Sequence, residues 1–243
     1  MNKKKLYSRL NFLVKMMLFI LFTGIVAWWT YPNEITEVEK RLYIESYGVT
    51  LGLTTGAALI GITLGILLAF IKFKRIPGIE FLIDEYVDMM RGTPMVLQLL
   101  IFSVVVFATW RDNFYVAVIA LGLNSAAYVA EIVRSGIESI DKGQMEAARA
   151  IGMPYNMAMN EIIMPQAIKN ILPALVNEFI VLFKETSIVG YISVIDITMY
   201  SKRLQSTYYS PKPIIFTGLV YYVSVKVFSF LSKKFEGKLK KND

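Results

Sequence analysis

The sequence predicts an all-α membrane protein with about six transmembrane helices. Six apolar runs, residues 12–30, 49–73, 94–110, 114–133, 171–195 and 213–231, each approach or exceed the ~20 residues a spanning helix needs. Basic clusters stand beside these runs, as the cytoplasmic flanks of spanning helices do. Composition agrees: 55% of residues are hydrophobic and 19% charged, with a mean hydropathy of +0.50, whereas soluble domains are roughly 45–50% apolar.

Lys3, Lys4, Lys5 and Arg9 precede the first run, and a basic start before an apolar stretch also describes a signal peptide. This stretch is too long for one, and WWTYP follows it instead of a small-residue cleavage site. A retained helix starting in the cytoplasm is expected, with Trp28, Trp29 and Tyr31 anchoring it at the outer interface. Residues 33–46 carry Glu34, Glu37, Glu39 and Glu45 against Lys40 and Arg41 and read as an acidic external segment. Residues 1–46 are therefore set apart as an extra N-terminal helix with its external segment. In the second run Gly52/Gly56 and Gly61/Gly65 stand four apart, a spacing that lets another helix approach closely. Lys72, Lys74 and Arg75 mark its cytoplasmic end.

Arg91-Gly92-Thr93-Pro94 opens the third run. Pro94 suits a first helical turn and Thr93 an N-cap before it. Gly92 permits a sharp entry, and Arg91 is placed near the cytoplasmic interface. Two readings stay open for these four residues, a plain topological break and a part in gating. In the fourth run Asn124, Tyr128 and Glu131 share one helical face at ~100° per residue. A charge inside a span faces the bundle interior or a water-filled path and finds a partner. Either Arg134 is that partner, or the face lines a substrate path, with hydrogen bonds from Asn124 and Tyr128 and a carboxylate from Glu131.

Glu178, Lys184, Glu185, Thr186 and Ser187 make the fifth run unusually polar. Glu178 and Glu185 share a face, and Lys184 is free to meet Glu131, a substrate carboxylate or another carboxylate of the bundle. In the sixth run Tyr221, Tyr222 and Lys226 read as packing and snorkelling, and residues 233–243 form a basic tail. Six spans from a cytoplasmic start put both termini in the cytoplasm. Lys202, Arg203 and Lys212 then fall outside, against the charge rule.

The chain has no Cys and no His, which removes disulfides, cysteine or histidine metal sites, thiol nucleophiles and imidazole bases. It has no Walker A sequence, so any ATP hydrolysis belongs to a partner. The net charge of +7 sits mostly beside apolar spans and marks a membrane surface, not nucleic acid. No catalytic residue, cofactor or metal ligand is expected.

Residues 141–165 stand between the fourth and fifth runs. Residues 141–149 are rich in helix formers, and Gly152-Met153-Pro154 is a stop signal; the segment then resumes helically until Pro165. Such a short helix, held off the membrane by turns at both ends, suits a groove on another protein. Glu146, Ala147, Ala148, Gly152, Ile162 and Pro165 match the cytoplasmic signature of ATP-binding-cassette (ABC) importer permeases, with Met164 where leucine is usual; methionine keeps the bulk and apolarity. The segment resembles that signature throughout. Arg91-Gly92-Thr93-Pro94 followed by MVLQLLIF, residues 124–137 and residues 182–192 look like permeases for polar amino acids, of the histidine, glutamate, glutamine, arginine and opine type. The resemblance covers residues 48–231.

That resemblance implies a type I importer permease-like bundle over residues 47–232, with Glu146, Ala147, Ala148, Gly152 and Pro165 in a cytoplasmic coupling helix that docks on the ATPase. It implies a multi-pass protein of the bacterial cytoplasmic membrane. Its implied partners are ATP-binding-cassette subunits, a second permease chain (identical or related), an extracytoplasmic solute-binding protein and an amino acid. The alternative is an ion-coupled secondary transporter using the intramembrane carboxylates as ion sites. That class has no use for the signature and usually shows more spans. An intramembrane enzyme or assembly factor is a further rival, but no carboxylate pair stands out as catalytic.

Overall fold

The computed structural model describes residues 3–74 and 76–239. Arg75, Lys240 and Lys241, and the side chains of Lys3, Lys4, Lys5, Arg9 and Lys238, lie outside the described parts. Among the described residues the chain is helical without strands: α1 (Lys3–Thr30), α2 (Glu37–Phe73), α3 (Ile79–Gly92), α4 (Met95–Ile101), α5 (Asn113–Glu138), α6 (Lys142–Ala150), α7 (Tyr155–Ala158), α8 (Met164–Glu185), α9 (Ile197–Tyr208) and α10 (Lys212–Leu239). A π turn, Phe102–Val106, continues α4; another, Met159–Ile163, joins α7 to α8; a 3-10 turn, Thr186–Ile192, extends α8.

The expected external segment 33–46 is mostly helix. Thr36 and Glu39 form a reciprocal capping box, with Thr36 N donating to Glu39 Oε2 at 2.8 Å and Glu39 N donating to Thr36 Oγ1 at 3.3 Å. This pair starts α2 at Glu37, so the boundary expected at residue 46 falls inside a continuous helix. At 37 residues, α2 is about 55 Å long and outruns the ~30 Å hydrocarbon core. Its charged first turns can therefore stand outside. Tyr208 of α9 donates to Glu39 at 2.6 Å, and that carboxylate holds the Tyr208 phenol above its ordinary pKa.

The principal packing is α2 against α5, and the glycine pairs of α2 make it close. A methyl on Gly61 would lie 2.8 Å from Ser125 Cβ; one on Gly65 would lie 2.6 Å from the Ala126 carbonyl oxygen. Leu53, Leu99, Val116, Leu121, Leu182 and Val189 fill one end of the core. Ala69, Val129, Val133, Ile163, Ala167 and Ile171 fill the other.

The count of six spans is not reached on length and apolarity alone. Among the described residues α2, α5 and α10 qualify, and α3 with the α4 segment makes a fourth if that bent pair counts as one. The third expected span, 94–110, is helical only over Met95–Val106, and it reaches spanning length only together with α3, which precedes it and meets it at 110°. The fifth stops at Glu185, where α8 tightens into the 3-10 turn; its Lys169, Glu178, Lys184 and Glu185 dilute its apolarity. The described apolar part of α1, Val14–Thr30, is short. With 22 residues, or about 33 Å, α8 carries the chain from the α6–α7 end of the bundle to the α9 end.

Candidate functional site

The bend between α3 and α4 is built by Thr93 and Pro94. A residue before proline is driven to extended backbone, and Thr93 has φ −113° and ψ 146°. Thr93 is not the N-cap of α4. Its hydroxyl donates back to Met89 O at 2.8 Å and accepts from Gln98 Nε2 at 2.7 Å; Pro94 takes the extended position before Met95. Gln98 Nε2 also lies 2.7 Å from Met90 O and 3.1 Å from Thr93 O. Asn124 Nδ2 donates to Gln98 Oε1 at 2.9 Å and to Met90 O at 3.0 Å. Asn124 is 4% exposed, so its donors hold the break and are not offered to a solute.

Arg91 leaves this break towards α5. Its guanidinium lies 5.5 Å from the Tyr128 ring centroid, within cation–π range, and its NH1 is 3.8 Å from Glu131 Oε2. Arg134 Nε donates to the same carboxylate at 2.8 Å, and Arg134 reaches on to Glu138. Of the two readings of Glu131, the pair with Arg134 is formed, and Arg91 joins it. Lys72 pairs with Asp84 nearby. Lys72, Asp84, Arg91, Glu131, Arg134 and Glu138 line a cavity of about 350 Å³ between the end of α2, α3 and α5. Tyr128 and Glu131 thus share the expected face, turned to the break.

In the 141–165 segment Asp141 caps α6 by accepting from Gly143 N at 2.7 Å. Gly152 has φ +87°, where a side chain is strained. Nothing lies within 4 Å of a Cβ built there, so backbone conformation alone demands glycine. Arg149 NH1 donates to Met153 O at 2.8 Å across the turn. Glu146 and Ala147 are exposed and Ala148 buried. Ile151 (78% exposed), Tyr155 and Met157 make an apolar tip. The expected stop at Pro165 is absent: the helix runs through the π turn, and Pro165 sits in the first turn of α8, where its missing N–H is tolerated.

At the opposite end, Lys184 is exposed and is not among the cations near Glu131, which are Arg134, Arg91 and Lys72. Glu185 closes α8. Thr186 is buried, donating to Phe183 O at 2.7 Å, and Ser187 lines a hollow of about 300 Å³ with Tyr191, Met199 and Lys202. Glu178 accepts from Ser125 Oγ at 2.9 Å, linking α8 to α5.

Two polar residues here have no role assigned from the sequence. Gln98 is a lone amide in an apolar run, four residues after Pro94. Asp196 is fully buried and accepts from Met199 N at 2.8 Å, Thr198 N at 3.1 Å and the Tyr221 hydroxyl at 3.4 Å. Its signal is an aspartate immediately before a helix, the N-cap preference.

Residues 61–241 match the family described as binding-protein-dependent transport system inner membrane component. The arginine transport system permease protein ArtQ of Bacillus subtilis is 45% identical over 204 residues, covering 82% of this chain and 93% of that protein. A crystal structure of an amino acid ABC transporter with histidines contains a chain that superposes with a TM-score of 0.78 at 42% identity, covering 82% of this chain and 94% of that one. A chain of the MetNI methionine ABC transporter, inward facing, gives 0.72 at 16% identity over 84% and 99%, a likeness of fold alone.

Proposed function

The chain belongs to the binding-protein-dependent transport system inner membrane component family, and from that premise we propose that it is the membrane permease subunit of an ATP-driven amino acid importer. It forms the pathway for a polar amino acid, and its α6–α7 segment couples that pathway to ATP hydrolysis in a partner subunit. The observation that carries this is the apolar tip of Ile151, Tyr155 and Met157, held off the bundle by the Gly152 turn. An apolar tip beside the signature residues Glu146, Ala147 and Ala148 fits a cleft on another protein.

In this reading two ATPase subunits sit at the α6–α7 end, in the cytoplasm with both termini. A solute-binding protein delivers the amino acid at the α9 end. A second permease chain completes a two-fold pathway, and residues 47–232 make up the permease domain. Closure of the ATPases moves the α6–α7 tip, and α8, joined to that tip through the π turn, carries the displacement along the bundle. Arg91, Glu131 and Arg134 then act as a charge chain that holds α3 to α5 on the cytoplasmic side. Tyr128 stacks on that chain, and Lys184, Glu185 and Ser187 face the solute near the other end.

The test is uptake by proteoliposomes containing this chain, its ATPase and its binding protein, with labelled polar amino acids outside. ATP-dependent accumulation is expected, together with co-purification of the ATPase. Uptake that survives an inactive ATPase but collapses with an ion gradient would return the chain to the ion-coupled class.

A further inference from the structure

α1 lies outside the matched residues 61–241 and leans on the bundle through α10. Phe19 meets Tyr222 with ring centroids 5.8 Å apart, and Tyr31 meets Phe216 edge-on at 5.7 Å. Between the end of α1, the first turns of α2 and the start of α10 a hollow of about 290 Å³ remains. Tyr31, Ile35, Tyr43, Tyr47, Phe216 and Val220 form most of its wall. The Tyr43 hydroxyl is bonded to Thr217 Oγ1 at 2.6 Å and the Tyr47 hydroxyl to Ser224 Oγ at 2.8 Å, so both polar tips are already satisfied by α10. Lys40, the charged member of the wall, is paired with Glu37 at 2.6 Å.

A hollow whose lining is almost wholly apolar, with Tyr43, Tyr47 and Lys40 already bonded, does not hold ordered water, whereas hydrocarbon is stable against such walls. Towards the lipid its rim is apolar and exposed, with Ile44 at 70% in its wall and Trp28 at 82% at the end of α1, while the ion pairs Glu37–Lys40 and Arg41–Glu45 of the first turns of α2 stand above it. In a membrane protein that surface faces lipid, and Trp28 and Trp29 set its level at an interface. Phe216 and Val220 lie about 6–12 Å along α10 from Lys212, the depth of the upper acyl chain. We propose that this hollow seats an acyl chain of a phospholipid from the leaflet opposite the α6–α7 segment. The seated chain completes the packing of α1 against α2 and α10, which side chains alone leave unfilled.

The chain has three tryptophans, Trp28, Trp29 and Trp110. With all three changed to Phe, Phe216→Trp becomes the sole tryptophan, excited selectively over tyrosine, in the full chain reconstituted in vesicles of phospholipid brominated along the acyl chain. Quenching is expected, stronger for bromine near the glycerol than near the terminal methyl. It should fall by about half when Val220→Phe is added to fill the hollow. Absence of quenching overturns the proposal. Quenching that is unchanged by filling also overturns it, since bulk bilayer contact then suffices. Quenching that appears only on diluting the protein in lipid overturns it as well, by assigning the hollow to a second copy. Should Val220→Phe lose helical circular dichroism, Val220→Leu takes its place in the same comparison.

Discussion

Gln98 and Asn124 meet amide to amide at the α3–α4 bend, 2.9 Å apart, and both also donate to Met90 O. A buried carbonyl at a helix break has lost its intrahelical partner, and leaving it unsatisfied costs about 1–3 kcal/mol. The two amides supply what the broken helix cannot. Gln98→Leu is therefore expected to destabilise the chain by about 1–3 kcal/mol, and Asn124→Leu similarly. The double variant should lose less than the sum, because the residues share one network. Thermal unfolding of the purified full chain measures this; strict additivity would show that the amides act separately.

Glu131→Gln removes the carboxylate shared by Arg91 and Arg134. All three side chains are partly exposed, so the expected loss is about 1–2 kcal/mol, below the ~3–5 kcal/mol for breaking a fully buried pair. Transport should fall more than complex assembly does. Normal uptake kinetics in a well-assembled Glu131→Gln importer would separate this charge chain from the transport cycle.

Gly152→Asp places a side chain at φ +87°, costing about 1–2 kcal/mol locally, and adds a charge beside the apolar tip. Normal membrane insertion is expected, with loss of the ATPase stimulation given by the loaded binding protein. Glu146→Lys should act in the same direction more weakly, since an exposed charge contributes little unless a partner desolvates it. Co-purification of the ATPase and its stimulated rate are measured together. Wild-type values for both variants would remove the coupling role.

The orientation can be read by labelling, since the chain has no cysteine. Gln144 on α6 and Ser206 on α9 are both exposed. In intact cells an impermeant maleimide should label Ser206→Cys and spare Gln144→Cys. The reverse pattern would invert the topology.

Local backbone rules made part of this molecule legible in its sequence. The demand for glycine at 152 follows from a helix stop, and the signature around it is contiguous. The Gly61 and Gly65 contacts follow from spacing, because four residues bring small side chains onto one helical face. The start of α2 was also written, as Thr36-x-x-Glu39, but the surrounding charges read only as an acidic external segment. Other features depend on residues distant in sequence. Gln98 meets Asn124 across 26 positions, and Asp196 meets Tyr221 across 25; neither pairing has a local pattern. Thr93 was misplaced because its hydroxyl had two possible helices to serve, and the bend angle that decides between them is a tertiary quantity.

The π turn at Met159–Ile163 fixes an angular phase. One extra residue in a turn rotates everything before it by about 100° around the axis of α8 while adding only about 1.5 Å of length. The direction in which Ile151 and Tyr155 point is thus set by residues on neither side of the contact they would make. Deleting Asn160 should swing that tip round the bundle with the transmembrane packing left intact. Spin-label distances between the tip and α5 would register the swing.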